Sequence, residues 1–352
     1  MVGLFRINEE SALGRLYIWR ISLGMVLDYP VFGVGYGNYA YQYLNYQAKF
    51  FDDPENMIYR DKAAGLRDAH SEFVHVLSET GIVGLLIFIS VFALFFGYAR
   101  TLMEDGLADE KRLCLQKCII ASVLVIGIHA LVDNVLHVLP VALLFYCGAA
   151  VISAEMRGRD KPLVNFSLKG NLLLPVAVIA LLTLNGYFVV NRLAGYVFWK
   201  KGQDSVHQGK WEQGINYYQR ALDYIPENAE LQFHLGAAYS YTGAAEQAIG
   251  LLTSSLKSFN DKNIYLTLGH AYRISGEYQK AEDNFRTVTR MYPQMLLPHL
   301  WLAELYYEMG DRDQSIQELR LIINAKPKIL SDDVILIKHD AERFLRIILK
   351  AE

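Results

Sequence analysis

The residues best suited to chemistry in this chain are a few histidines and three arginines. His70 opens the segment AHSEFVHVLSETGIVGLL, with His75 and Glu79 close behind it. Imidazole is the commonest general base near neutral pH, so His70 is the candidate to take a proton from a hydroxyl; the plainer reading is a solvated or structural group. His75 and Glu79 are four residues apart, which suits a hydrogen-bonded pair on one helix face. Further on, His129, Asp133 and His137 recur every four residues, and one continuous helix would carry all three along a single stripe. Ionisable groups in an apolar segment usually face a protein interior or a watery cavity. This trio therefore reads either as a hydrogen-bond network among helices or as part of an active site. Arg15, Arg20 and Arg67 are candidates for anion binding, because a guanidinium fork fits phosphate oxygens. Their alternative role is contact with lipid headgroups. None of these groups has a convincing metal spacing. Cys114, Cys118 and Cys147 lie in or beside apolar segments and read as free thiols.

These groups must be positioned by two very different kinds of sequence. Of the 352 residues, 53% are hydrophobic, but they are concentrated in residues 81–191. Four apolar segments, 82–99, 118–136, 139–154 and 171–191, are the expected membrane spans, the third being short for one. Lys and Arg fall in the loops 100–117 and 155–170 and are absent from the hairpin Asn134–Leu139. By the positive-inside rule both basic loops face the cytoplasm, and residues 1–80 and the C-terminal region lie on the opposite side. A formal net charge of -3 gives no support for a nucleic-acid surface. MVGLFRINEE lacks the apolar core of a cleavable leader. An N-terminal region outside the cytoplasm needs a preceding span, so the chain is expected to be the C-terminal part of a longer protein.

Before the first span, Leu16, Trp19, Leu23 and Val26 recur at helical spacing, and Pro30 ends that helix. Gly33, Gly35 and Gly37 then demand a tight or close-approach backbone. Their spacing is not that of a dinucleotide loop, and no strand precedes them. The aromatic run from Tyr39 to Phe51 reads as an interfacial belt or as a surface for stacking sugar rings. Residues 52–67 read as a flexible loop. From Gly195 the chain repeats: Gly209, Gly243, Gly276 and Gly310 are 33 or 34 residues apart, with Leu235-Gly236, Leu268-Gly269 and Leu302-Ala303 in register. This resembles the tetratricopeptide repeat. The last stretch, from Ser331, reads as a capping helix. The expected fold is all-α: polytopic transmembrane helices followed by a tetratricopeptide-repeat α-solenoid. Its parts are an extracytoplasmic loop with amphipathic helices (1–80), four transmembrane helices (81–192) and the repeat domain with its cap (193–352).

The segments RLYIWRISLGMVLDYPVFGVGYGNY, AHSEFVHVLSETGIVGLL and HALVDNVLHVLP, in that order, resemble the C-terminal core of the O-antigen ligase family. The resemblance covers roughly residues 12–155; Ser71 stands where the family usually has Asn after the histidine. It implies a membrane glycosyltransferase, metal-independent and without cofactor, in the bacterial inner membrane. Such an enzyme passes a glycan from undecaprenyl diphosphate to an acceptor hydroxyl at the outer face. The acceptor is lipid A core, a protein or another glycan. His70 would be the base, and Arg15, Arg20 or Arg67 would stabilise the diphosphate. His129, Asp133 and His137 would stand behind them. The repeats would lie in the periplasm and take a protein partner. The competing reading is a non-catalytic membrane anchor that presents a tetratricopeptide scaffold to a periplasmic protein.

Overall fold

The computed structural model describes residues 2–104, 110–157, 173–328 and 330–350, and all regular structure among them is helical. The chain divides into two units, residues 1–46 with 65–169 and residues 47–64 with 170–352. The basic loop 155–170 falls almost wholly outside the described residues.

The first unit holds α1 (Val2–Asp28), the start of α2 (Tyr39–Phe51), α3 (Glu72–Glu104), α4 (Glu110–His129) and α5 (Leu139–Arg157). Two of them, α3 and α4, are long and apolar enough to cross a bilayer, with mean hydropathies of 2.5 and 1.6 over their most apolar windows. The apolar part of α5, Leu139–Ala154, is shorter. Phe95, Ala99 and Leu102 of α3 close a small core with Val123 of α4 and with Phe145 and Ile152 of α5. Other large apolar side chains, among them Leu86, Ile87, Val125 and Leu144, remain exposed. In water that exposure would cost about 25 cal/mol per Å²; hydrocarbon removes the cost. The second expected span is corrected: α4 stops at His129, and Ala130–Asn134 forms a turn ahead of a short 3-10 helix, Val135–His137.

α3 is broken at Gly81, whose φ of 64° and ψ of -165° are not helical. The turn after α1 fills the break. Val34 and Gly35 donate their N–H groups to Ser78 O and Glu79 O at 2.9 and 2.8 Å, and Ile82 donates to Pro30 O at 2.9 Å. Backbone groups released by the kink thus find backbone partners, as a buried break requires. The glycine-rich turn does bring two backbones together. The aromatic run, in contrast, is mainly interior: Tyr39, Tyr43 and Phe51 are buried, because α2 turns that stripe inward.

In the second unit, α6 (Leu173–His207) runs without interruption from an apolar N-terminal half into the first repeat. It pairs with α7 (Trp211–Tyr224). The pairs α8 (Ala229–Tyr241) with α9 (Ala245–Ser255), α10 (Lys262–Ile274) with α11 (Tyr278–Met291) and α12 (Leu297–Glu308) with α13 (Arg312–Asn324) follow. α14 (Asp332–Lys350) covers the last pair through Ala341 and Ile348. The small residue at the repeating Leu-Gly site has a steric reason. A Cβ on Gly236 would sit 2.8 Å from Leu252, and one on Gly269 would sit 2.4 Å from Phe285 of the partner helix.

Residues 52–67 are more ordered than their composition suggests. Asp53 caps a 3-10 helix, Pro54–Lys62, by accepting from Glu55 N. The segment is held against the end of α11 and the turn that follows it by hydrogen bonds spanning over 230 residues of sequence. Gln47 Nε2 donates to Met291 O at 2.7 Å, Gln294 Nε2 donates to Ala63 O at 2.9 Å, and Arg290 forks onto both Asp52 oxygens at 3.0 and 2.8 Å.

Candidate functional site

The site lies in the first unit, where the polar start of α3 meets the turn after α4. Ser71 begins α3 as its N-cap, its Oγ facing Val74 N at 3.4 Å, a role that Ser and Asn both fill well. One residue earlier, His70 has a φ of 48°, the single positive-φ residue other than glycine among the described residues. Asp68 Oδ1 accepts the His70 N–H at 3.1 Å and so holds this left-handed turn. A strained backbone of this kind costs of order 1–3 kcal/mol and tends to occur where a side chain must be aimed.

The His70 side chain is 44% exposed, and its Nδ1 lies 3.5 Å from Asp68 Oδ1 and 3.8 Å from Asp133 Oδ1. Two carboxylates beside one ring nitrogen favour the tautomer with hydrogen on Nδ1. Nε2 then keeps a lone pair for an incoming proton. Trp19 of α1 donates its indole N–H to Ala69 O at 3.0 Å, which fastens α1 beside the residue preceding His70. Arg15 is one helical turn before Trp19 on the same face, and Arg67 is two residues before Ala69. Among the described residues neither is drawn into an ion pair. Arg20, next to Trp19, is exposed and has contacts of its own.

The expected stripe of His129, Asp133 and His137 is not formed, because the helix ends at the first of them. Each goes to a different place. His129 is exposed at the end of α4 and, with Asp133, borders an apolar cleft of about 600 Å³ between α4 and α5. Asp133 faces His70. His137 reaches Glu72 Oε1 at 3.4 Å and stands edge-on to His75, with ring centres 5.0 Å apart.

Beneath His70 lies a buried polar layer that sequence reasoning only partly found. Glu72, His75 and Glu79 sit at i, i+3 and i+7 of α3, on one face, and all three are buried. Glu72 accepts the Leu136 N–H at 2.6 Å and donates its own N–H to Ala130 O, which locks the turn after α4 onto the start of α3. Glu79 caps α2 by accepting Tyr39 N–H at 3.0 Å and lies 3.6 Å from His75 Nε2. Tyr39 in turn bonds Ser22 of α1 at 2.8 Å. Burial pushes the His75 imidazole below the usual histidine range, against the opposing pull of Glu79, and pushes the Tyr39 phenol up. His75 is thus enclosed. The missed signal was the seven-residue spacing of Glu72 and Glu79 around His75. Among the described residues no group of three or more His, Cys, Asp or Glu is arranged to hold a metal ion.

Residues 4–89 match the O-antigen ligase family, and residues 200–262 and 272–332 match tetratricopeptide repeats. A curated relative is the exopolysaccharide production protein ExoQ of Rhizobium meliloti (strain 1021). It is 26% identical over 105 residues, a segment covering 30% of this chain and 23% of the relative. Similar solved structures include a crystal structure of MamA, at 22% identity and a TM-score of 0.34, covering 42% of this chain and 92% of that one. Another is MamA 41-end from Desulfovibrio magneticus RS-1, at 14% identity and a TM-score of 0.36, covering 42% and 76%. The chain thus joins an O-antigen ligase family segment in its N-terminal part to tetratricopeptide repeats in its C-terminal part.

Proposed function

We propose that this chain carries the reaction centre of a membrane glycan ligase. A glycan attached through its anomeric carbon to undecaprenyl diphosphate is passed to an acceptor hydroxyl at the outer face of the inner membrane. The observation that supports this most is the His70 ring, aimed by a left-handed backbone and flanked by Asp68 and Asp133. The acceptor oxygen attacks the anomeric carbon, and the bond from that carbon to the diphosphate oxygen breaks. His70 Nε2 takes the hydroxyl proton, and the leaving diphosphate keeps the electron pair. Arg15 and Arg67, with Arg20 beside them, supply positive charge where that anion develops. The acceptor is lipid A core, a protein Ser or Thr, or a second glycan.

The test is transfer by the full-length natural protein in vesicles, from lipid-linked glycan to acceptor, with a chelator present. Transfer that persists in chelator is expected. If no acceptor class receives glycan, the competing reading, a membrane-anchored scaffold, stands instead.

The orientation is part of the proposal and rests on the charge asymmetry of the loops. Arg100, Lys111, Arg112 and Lys117 mark a cytoplasmic side, so the repeats are extracytoplasmic. Reporter fusions after Lys117 and after Lys201 are expected to give opposite signals. Cytoplasmic reporter activity at Lys201 would overturn this arrangement.

A further inference from the structure

The first helices of three successive pairs turn polar and aromatic side chains toward a common hollow of about 190 Å³. Thr267, His270 and Arg273 stand three residues apart on α10, hence on one stripe. Trp301 and Glu304 face them from α12, and Tyr241 closes the end of α8. A stack of repeats offers such a surface for binding.

The cation of the hollow is already paired. Arg273 reaches Glu304 at 2.7 Å and Glu308 at 3.0 Å, so one cation meets two carboxylates. His270 is held by buried Ser240 at 3.0 Å. Burial, helped by the Arg273 charge, pushes its imidazole below the usual range and keeps it neutral at pH 7. A phosphate or a sugar acid would meet more negative than positive charge. The aromatic surface is continuous: ring centres lie 5.3 Å apart from Trp211 to Tyr241, 6.0 Å from Tyr241 to His270 and 6.3 Å from His270 to Trp301. Tyr241 is 64% exposed. A neutral sugar fits this combination. Its C–H faces pack on aromatic rings, and its hydroxyls both donate and accept, so they join an Arg–Glu network without bringing charge.

We propose that this hollow binds one neutral sugar residue of a glycan, stacked against Tyr241 and Trp301 and hydrogen-bonded to the Arg273–Glu304 pair. The proposal rests on the ligase reading for the source of the sugar, a glycan handled by the same protein.

The experiment measures binding, not transfer. The full chain is placed in a detergent without sugar headgroups, and a panel of end-labelled neutral hexose oligosaccharides is titrated by fluorescence anisotropy. An acidic oligosaccharide and a lysine-rich peptide serve as comparisons. Saturable binding of at least one neutral oligosaccharide is expected. Tyr241→Ala should weaken it about tenfold, the upper end of what one aromatic contact supplies. Thr267→Trp, which fills the hollow, should abolish it while the unfolding temperature stays unchanged. The proposal is overturned if no neutral oligosaccharide saturates, if both variants bind like the parent, or if the lysine-rich peptide binds in the sugar's place. A parent protein that binds sugar but shows no transfer would count against the ligase reading alone; a parent protein that transfers glycan but shows no sugar binding would count against this site alone.

Discussion

His70→Asn is expected to lower glycan transfer by about 10²–10⁴-fold, the usual contribution of a positioned general base. Asparagine is the informative substitution because it tolerates the left-handed backbone that His70 adopts and removes only the base. His70→Ala removes the same base but adds backbone strain, so it should show the same loss with a lower unfolding temperature. Asp133→Asn leaves the ring in place and weakens one of the two carboxylate contacts on Nδ1. It should therefore lower kcat less than His70→Asn, with KM little changed. Neither Arg15 nor Arg67 can substitute as base, since a guanidinium stays protonated. His75 cannot either: it is buried between Tyr39 and His137 and belongs to the buried polar layer. His75→Ala should reduce the amount of folded protein before it changes the chemistry. The measurement is transfer by the full-length natural protein at matched membrane levels. Near-normal transfer by His70→Asn would remove the base assignment and leave catalysis to electrostatic stabilisation of the diphosphate.

What could be read in advance was local. The repeats were legible because each unit reuses the same steric contact, a small residue under a large one, and places a glycine with φ between 75° and 83° at each inter-helix turn. The position of His70 just ahead of the long apolar helix α3 was legible because both lie within one short segment. The meeting of His70 with Asp133 was not. It depends on α4 ending at His129, and that end is set by Glu72, more than fifty residues away, capturing Ala130 O and Leu136 N. Read alone, the apolar run through residue 136 looks like continuous helix. The docking of residues 47–64 onto the repeats was equally hidden. Gln47, Asp52 and Gln294 are ordinary surface residue types, and composition carries no sign of partners so far along the chain.

Gly81→Ala and Gly33→Ala are each expected to cost most of the folded protein. Both glycines have positive φ values, 64° and 66°, where alanine pays of order 1–3 kcal/mol. Both also lie in direct backbone contact. A Cβ on Gly81 would sit 2.3 Å from the carbonyl carbon of Val31, and one on Gly33 would sit 2.3 Å from that of Glu79. The obstacle is main chain in each case, so no side chain can turn aside; the turn after α1 must lift off the break in α3. Lifting it strands the N–H groups of Val34, Gly35 and Ile82 and moves Glu79 away from the N-terminus of α2. Each N–H group left without its backbone partner adds to that cost, and a domain's whole stability is only about 5–15 kcal/mol. Gly37 separates the two causes. Its φ is 78°, but nothing lies within 4 Å of the position a Cβ would take, so Gly37→Ala bears the backbone strain without the collision. Detergent-extracted protein should therefore rank parent, then Gly37→Ala, then Gly33→Ala and Gly81→Ala together, by unfolding temperature and by yield on size exclusion. Equal losses for Gly37→Ala and Gly81→Ala would show that positive-φ backbone alone is responsible and that the contact between Val31 and Gly81 does not hold the two segments together.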